Sequence, residues 1–456
     1  MPQSSISPAT GEVLAQIADH TDDEIERRVS GAAAAASTWR DTPLEARTAM
    51  LRRLAGLLDE EREALARLAT LEMGKPIQAA RDEVAKCANL CRYYADAAPG
   101  FLEPERVVRD GREDGAVHFL PLGVLLAVMP WNFPYWQAIR AAAPALAAGN
   151  PVMLKHASNV PQCALAIERL VVAAGARDGA FTTLLIPASR VGALIDDPRI
   201  AGVTLTGSEA AGRDVGARAG GAIKPCVLEL GGSDPFIVLA SADVDAAAAT
   251  AARARCINNG QSCIAAKRFI VHEAVYDAFA ARLVAAMHAL RMGDPLDEAT
   301  DIGPLATASI RRKVDDQVRR TIAGGARVLT GGVVPQGTGN FYAPTVLADV
   351  PRDSAAAREE VFGPVAPLFR VTDADEALAL ANDTAFGLGA SVWTHDPAEA
   401  RRFGAGIEAG AVFINAMVAS DPRFPFGGVK ASGIGRELAR EGLRAFVNVK
   451  TVRGAP

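Results

Sequence analysis

Three short segments carry residue types that could do covalent chemistry. In Asn258-Asn259-Gly260-Gln261-Ser262-Cys263 a cysteine follows a polar, glycine-containing turn. Such a turn can leave the sulfur exposed and the backbone N–H free, and its small residues leave room for a carbonyl carbon beside a thiolate. The other reading of a lone cysteine is a buried structural thiol, as expected for Cys163 and Cys226. In Glu229-Leu230-Gly231-Gly232 a carboxylate closes the apolar run Cys226-Val227-Leu228. Burying a glutamate is costly unless it has a partner or a task, and burial lifts its pKa toward the range of a general base. A salt-bridged structural glutamate is the competing reading. In Pro130-Trp131-Asn132-Phe133-Pro134 two prolines fix a turn around an amide that can donate to an oxyanion. The plain alternative is an aromatic-proline corner.

No metal site is expected. The six histidines are scattered, and Cys87 and Cys91 have no histidine near them. G-x-G-x-x-G and G-x-x-x-x-G-K-[ST] are both absent, so a phosphate-bearing ligand would need another cradle.

The elements that must hold these segments follow from the pattern. The first hundred residues read as helical. Thr21 with Glu24 three residues on is a capping box, and an amphipathic stretch from Leu44 to Met73 ends at Gly74. Strand-like and helix-like segments then alternate: helices over 136–148, 160–174 and 208–219, extended runs over 151–155, 181–186 and 202–206. A second alternation begins at Pro235, with a helix capped by Asp243 running through Asn258. Alternation of this kind predicts parallel, doubly wound sheets, with a join near Gly231-Gly232-Ser233.

Composition bounds the partners. The 456 residues are 50% hydrophobic and 22% charged with net charge -5. A large core can form, and a disordered or fibrous chain is excluded. No global basic field invites nucleic acid or anionic lipid. The longest apolar stretches are interrupted by Pro130 and Pro144, no secretory signal is visible, and six cysteines suggest a reducing compartment. The expectation is a cytoplasmic protein with neither nucleic acid nor membrane as partner.

The three segments occur in order with three more: Thr206-Gly207-Ser208, Glu360-Val361-Phe362-Gly363-Pro364, and Pro425-Phe426-Gly427-Gly428-x-Lys430-x-Ser432-Gly433-x-Gly435-Arg436-Glu437. Together they resemble the aldehyde dehydrogenase superfamily over essentially the whole chain. The resemblance implies two doubly wound α/β domains, a Rossmann-like cofactor domain and a catalytic domain, plus a β oligomerisation arm. The expected boundaries are 1–105 and 123–231 for the cofactor domain and 232–425 for the catalytic domain. The arm and C-terminal strand would be 106–122 and 426–456. It implies Cys263 as nucleophile through a thiohemiacetal and a thioester, with Asn132 and the Cys263 N–H at the oxyanion, hydride passing to a nicotinamide, and Glu229 activating water. Relatives that transfer the acyl group to coenzyme A usually lack that glutamate, so a free acid is the expected product.

The same resemblance implies that Gly207 and Ser208 face the pyrophosphate, with Trp131 nearby. Lys155 would reach the adenosine ribose and Glu360 the nicotinamide ribose, with Phe362 beside it. Strict NAD users often place a glutamate three residues after the lysine. Here that residue is Ser158, so NADP is favoured and NAD use is also expected. Trp136, Arg140 and Ser420-Asp421-Pro422-Arg423 resemble the succinate-semialdehyde branch. Arg140 would clamp a distal carboxylate, helped by Ser262 and Ser420, with Trp136 and Phe426 walling the tunnel. A second arginine common in that branch is replaced by Ile257. The reaction implied is oxidation of succinate semialdehyde to succinate. Glutarate semialdehyde or a broad aliphatic range is the alternative, and a non-catalytic protein on this fold is the reading from another class. A homodimer or homotetramer is expected, and a disulfide between Cys256 and Cys263 is conceivable.

Overall fold

Strand Val124–Met129 shows how the chain organises itself. It is apolar throughout, and its alternate side chains enter different cores. Leu125, Ala127 and Met129 join one apolar cluster; Val124 and Leu126 join another. Strand Pro235–Val238 does the same, with Ile237 on one face and Phe236 and Val238 on the other. Strands buried on both faces belong in parallel sheets covered by helices on each side. The computed structural model describes residues 3–109 and 112–454.

Two such sheets form. In the first the order is Gly433–Ile434, Cys226–Glu229, Ile200–Thr206, Val124–Met129, Val152–His156, Phe181–Thr183. All its pairs are parallel except the two-residue edge strand, which runs antiparallel to Cys226–Glu229 and sets Gly433 opposite Glu229. The second has seven strands: Arg327–Thr330, Thr345–Ala348, Val365–Val371, Arg268–His272, Pro235–Val238, Gly389–Trp393, Ala411–Ile414. Only its first pair is antiparallel. The α/β class with parallel sheets is thus as the sequence predicts.

A third, antiparallel sheet joins Val447–Arg453, Arg112–Pro121 and Glu105–Arg109. It draws on the two stretches for which an oligomerisation arm is expected; Asp110 and Gly111 lie outside the described residues. So do Met1, Pro2, Ala455 and Pro456 at the expected domain ends. No helix among the described residues is long and apolar enough to cross a membrane.

Most predicted elements appear within a residue or two. The capping box at Thr21 forms in both directions and opens helix Asp22–Arg40. Three expectations need correction. The N-terminus is not all helical: Gln3–Ile6 pairs with Val13–Ile17 as a hairpin. The stretch from Leu44 to Met73 is two helices, Leu44–Glu60 and Arg62–Met73, parted at Glu61 (φ -96, ψ 11). Both halves bury residues in the same core, so the apolar stripe continues through the break and hides it. The helix capped by Asp243 ends at Cys256, not Asn258, because Asn258 and Asn259 turn left-handed at φ 54 and 59.

Candidate active site

The loops at the carboxyl ends of the first sheet's strands converge with the loop that bears Cys263. Ligands of open α/β sheets bind at such ends. The turn 130–134 leaves strand Val124–Met129. Its shape is held by His156, whose Nε2 lies 2.8 Å from the Pro134 carbonyl while the Ala157 N–H donates to Nδ1. An imidazole that donates at one nitrogen and accepts at the other is neutral, and burial pushes its pKa down to about 4.

The Cys263 loop is fixed by amides. Asn258 Nδ2 donates to the carbonyls of Asn132 (2.7 Å) and Gln261 (3.1 Å). Asn259 Nδ2 donates to Gly74 and Pro304, and its Oδ1 accepts from the Gly303 N–H. Lys267 Nζ donates to the carbonyls of Ser262 (2.9 Å) and Cys263 (2.6 Å) and pairs with Glu360 at 3.2 Å. The loop therefore has its backbone tied on three sides before any ligand arrives.

Cys263 lies on the wall shared by two cavities. The first, about 270 Å³, is lined by Trp131, Asn132, Gly207, Ser208, Glu360 and Phe362, among others. Trp131 and Phe362 meet edge to face, their rings 5.8 Å apart. Glu360 accepts from the Gly232 N–H at 3.1 Å. Ser208 caps helix Glu209–Gly221, whose positive end faces this side. A Cβ on Gly207 would meet nothing in the protein nearer than Leu205 Cδ2 at 3.6 Å. The packing does not demand glycine there, and the spare room suits a dinucleotide's phosphates. One expected donor is withdrawn: the Gly207 N–H is bonded to the Glu229 carbonyl at 3.0 Å, so the free N–H groups start at the helix's first turn. Lys155 is buried on strand Val152–His156 and Ser158 is exposed just after it. Neither lines this cavity.

The second cavity, about 240 Å³, is lined by Lys86, Trp136, Arg140, Ser262, Ser420 and Phe426, among others. The expected substrate residues are thus brought together, but Arg140 is already engaged. Its Nε is in contact with Glu437, its Nη2 donates to Thr206 Oγ1 at 3.3 Å, and its guanidinium lies 4.8 Å over Phe426. A simple free clamp is therefore not what the structure holds. Lys86, overlooked in the sequence, donates from Nζ to Ser420 Oγ at 2.6 Å and sits 4.2 Å over the Trp136 ring.

Cys263 is half-buried, open to the two cavities. Burial pushes its thiol up to about 12, opposed by Lys267 and Arg140. It is not bonded to Cys256, and all six cysteines are free. Asn132 Nδ2 donates to the Gln261 carbonyl at 3.1 Å, which leaves its second hydrogen for a ligand. Glu229 departs from expectation. It lines neither cavity. Its carboxylate is buried without a hydrogen bond, with Oε1 only 2.6 Å from where a Cβ on Gly427 would stand. Burial first, then the nearby Glu437 charge, raises its pKa well above the usual range, against Arg140 and Arg436.

This is a thiol on the wall between two cavities of similar size, one beside a helix N-terminus and the other mostly apolar with Lys86 and Arg140 on its wall. The family model for the aldehyde dehydrogenase family matches residues 2–452, and the chain belongs to that family. It is 52% identical over 454 residues to succinate-semialdehyde dehydrogenase [NADP(+)] 1 of Mycobacterium tuberculosis, covering 99% of each chain. To succinate-semialdehyde dehydrogenase [NADP(+)] of Mycobacterium leprae it is 52% identical, covering 98% of this chain and 99% of the relative. Among solved structures, succinic semialdehyde dehydrogenase from Streptococcus pyogenes in complex with NADP+ is similar at a TM-score of 0.97, with 38% identity and 100% of both chains covered.

Proposed function

We propose that the chain oxidises succinate semialdehyde to succinate and prefers NADP. The observation that carries this reading is the position of Cys263 between the two cavities. A sulfur there can hold the thiohemiacetal carbon so that hydride would leave toward one cavity, giving the thioester, while the carbon chain extends into the other. Cys263 releases its thiol proton to solvent water, and Sγ adds to the aldehyde carbon as the C=O π pair moves onto oxygen. The free N–H of Asn132 and the Cys263 backbone N–H hold the developing oxyanion. Trp131, Gly207, Ser208, Glu360 and Phe362 on the cavity wall would hold a nicotinamide cofactor, with Lys155 beyond that wall reserved for its adenosine ribose, and the cofactor would supply the hydride acceptor. Lys267 keeps Glu360 and the Cys263 carbonyl in fixed relation.

Glu229 acts in hydrolysis of the thioester after its side chain rotates out of its burial beside Glu437. Where it rests, burial and a like charge favour the protonated form. Turned toward the cavity it leaves that charge behind, its pKa falls, and it can take a proton from water.

NADP preference rests on Ser158, small and neutral three residues after Lys155, and on the cofactor named for the relatives. The carboxylate preference rests on the cations and hydroxyls of the second cavity. We assign 1–105 and 123–231 to cofactor binding, 232–425 to catalysis, and 106–122 with 426–456 to assembly of a homodimer or homotetramer. Six unpaired thiols agree with work in a reducing cytoplasm.

The test is a steady-state matrix of succinate semialdehyde, glutarate semialdehyde, butanal and acetaldehyde against NAD and NADP. The expected maximum of kcat/KM is succinate semialdehyde with NADP. Equal values for butanal would reject the substrate, and a clear NAD preference would reject the cofactor.

A further inference from the structure

The second cavity holds two cations that differ in their partners. Arg140 faces Glu437, so its charge is already opposed. Lys86 forms no ion pair among the described residues, and its Nζ contacts are a hydroxyl and a ring face. The acids around it are engaged elsewhere. Glu83 pairs with Lys75 and accepts from the backbone N–H groups of Tyr135 and Trp136 at 2.8 Å. Asp421 pairs with Arg423 at 2.5 Å, and Asp82 accepts from Gln78 at 2.9 Å.

An ammonium has three N–H donors. One is directed to Ser420, which leaves two. A half-buried cation with unused donors on a cavity wall is a poor structural element and a good receptor for an anion. Ile257 lines the same cavity and adds no charge.

We infer that Lys86, together with Ser420, anchors the distal carboxylate of the substrate in the cavity that opens onto Cys263. The inference rests on the carboxy-aldehyde reading above and names the residue that makes it. Arg140, on the wall of the same cavity and paired with Glu437, adds its positive field, and the Trp136 ring face holds the ammonium in place. Burial, with help from Arg140, lowers the Lys86 pKa to about 8. That is the mark of a cation lacking a counter-charge, which a bound carboxylate would supply.

The competing role is a strut, since the Lys86 to Ser420 bond ties helix Ile77–Leu102 to a loop far along the chain. Two variants separate them. Lys86→Met loses charge and bond; Lys86→Gln loses the charge but keeps a donor for Ser420. Each is assayed at pH 7 with NADP on succinate semialdehyde and on butanal, with melting temperature and NADPH fluorescence as checks of fold and cofactor binding. For an anchor, the ratio of kcat/KM for the acid over butanal falls by roughly 10–100-fold in both variants, mainly through KM, as expected for loss of a hydrogen bond to a charged group. If the ratio stays within twofold of wild type in either variant, the anchor is overturned, whatever happens to the absolute rates. If the wild-type enzyme itself shows no preference for the acid, the carboxy-aldehyde reading falls and takes the anchor with it. A wild-type preference that survives in the variants removes the anchor alone.

Discussion

A thiol pushed up to about 12 by burial is almost wholly protonated near neutral pH, so Cys263 depends on its surroundings for every turnover. Replacing it with serine leaves a group of similar size but far weaker nucleophilicity. Cys263→Ser should lower kcat by on the order of 10³-fold or more. Mass spectrometry after mixing with aldehyde should show an adduct on residue 263 in the wild type and none in the variant. Asn132→Ala removes one oxyanion donor and should lower kcat by roughly 10²–10³-fold, read from steady-state rates with folding checked by circular dichroism. Lys86 gives the pH dependence its sign. Burial and the Arg140 charge lower its pKa to about 8, while Cys87, Glu83 and Asp421 pull the other way. Below that pH the ammonium is charged and receives a carboxylate. Above it the cation is lost, so KM for succinate semialdehyde should climb by about tenfold per pH unit. KM for butanal should not climb, and parallel curves for the two aldehydes would contradict this assignment.

At the scale of elements, the reactive loop is a helix stopped early and locked by side-chain amides. Asn259 sits at φ 59 and makes three hydrogen bonds to backbone groups that have come from Gly74, Gly303 and Pro304. Asn259→Ala adds left-handed strain and orphans those groups, which should cost about 2–4 kcal/mol of stability in urea unfolding. Asn259→Gly relieves the strain alone and should lie between the two. This loop also shows what was legible in the sequence. The Asn-Asn-Gly turn and the cysteine were readable as a local pattern, as were Thr21, Gly74 and Ser208 as helix boundaries. The early stop at Cys256 was not, because the alanine and arginine residues before it continue helical periodicity and the lock is made by residues far away. The resting place of Glu229 was hidden for the same reason: it is set by Gly427 and Glu437, brought over by an edge strand of two residues. The engagement of Arg140 and the exposure of Lys86 to the cavity are likewise products of tertiary packing. A motif announces a side chain's chemistry but not the charge it will face.

At the scale of the whole molecule, the two parallel sheets close around cores on both faces, whereas the antiparallel ribbon does not. Its strand Val447–Arg453 pairs along one edge with Arg112–Pro121 and has no further strand on its other edge among the described residues. Val107, Val108, Val449 and Val452 on the ribbon are 49%, 64%, 61% and 48% exposed. Apolar side chains beside an open strand edge invite pairing with another chain, and the proposed partner is a second copy of this chain, whose identical edge would close the arrangement. Light scattering on wild type should therefore give a dimer or tetramer mass. The double variant Val449→Asp with Val452→Asp places charge where those valines would be covered and should shift the mass toward monomer. Cys263 lies in the main body, built from residues outside the ribbon, so an isolated subunit should still form the thiol adduct. A variant that keeps the wild-type mass would move the interface off this ribbon, and one that loses the adduct on becoming monomeric would tie the active loop to assembly.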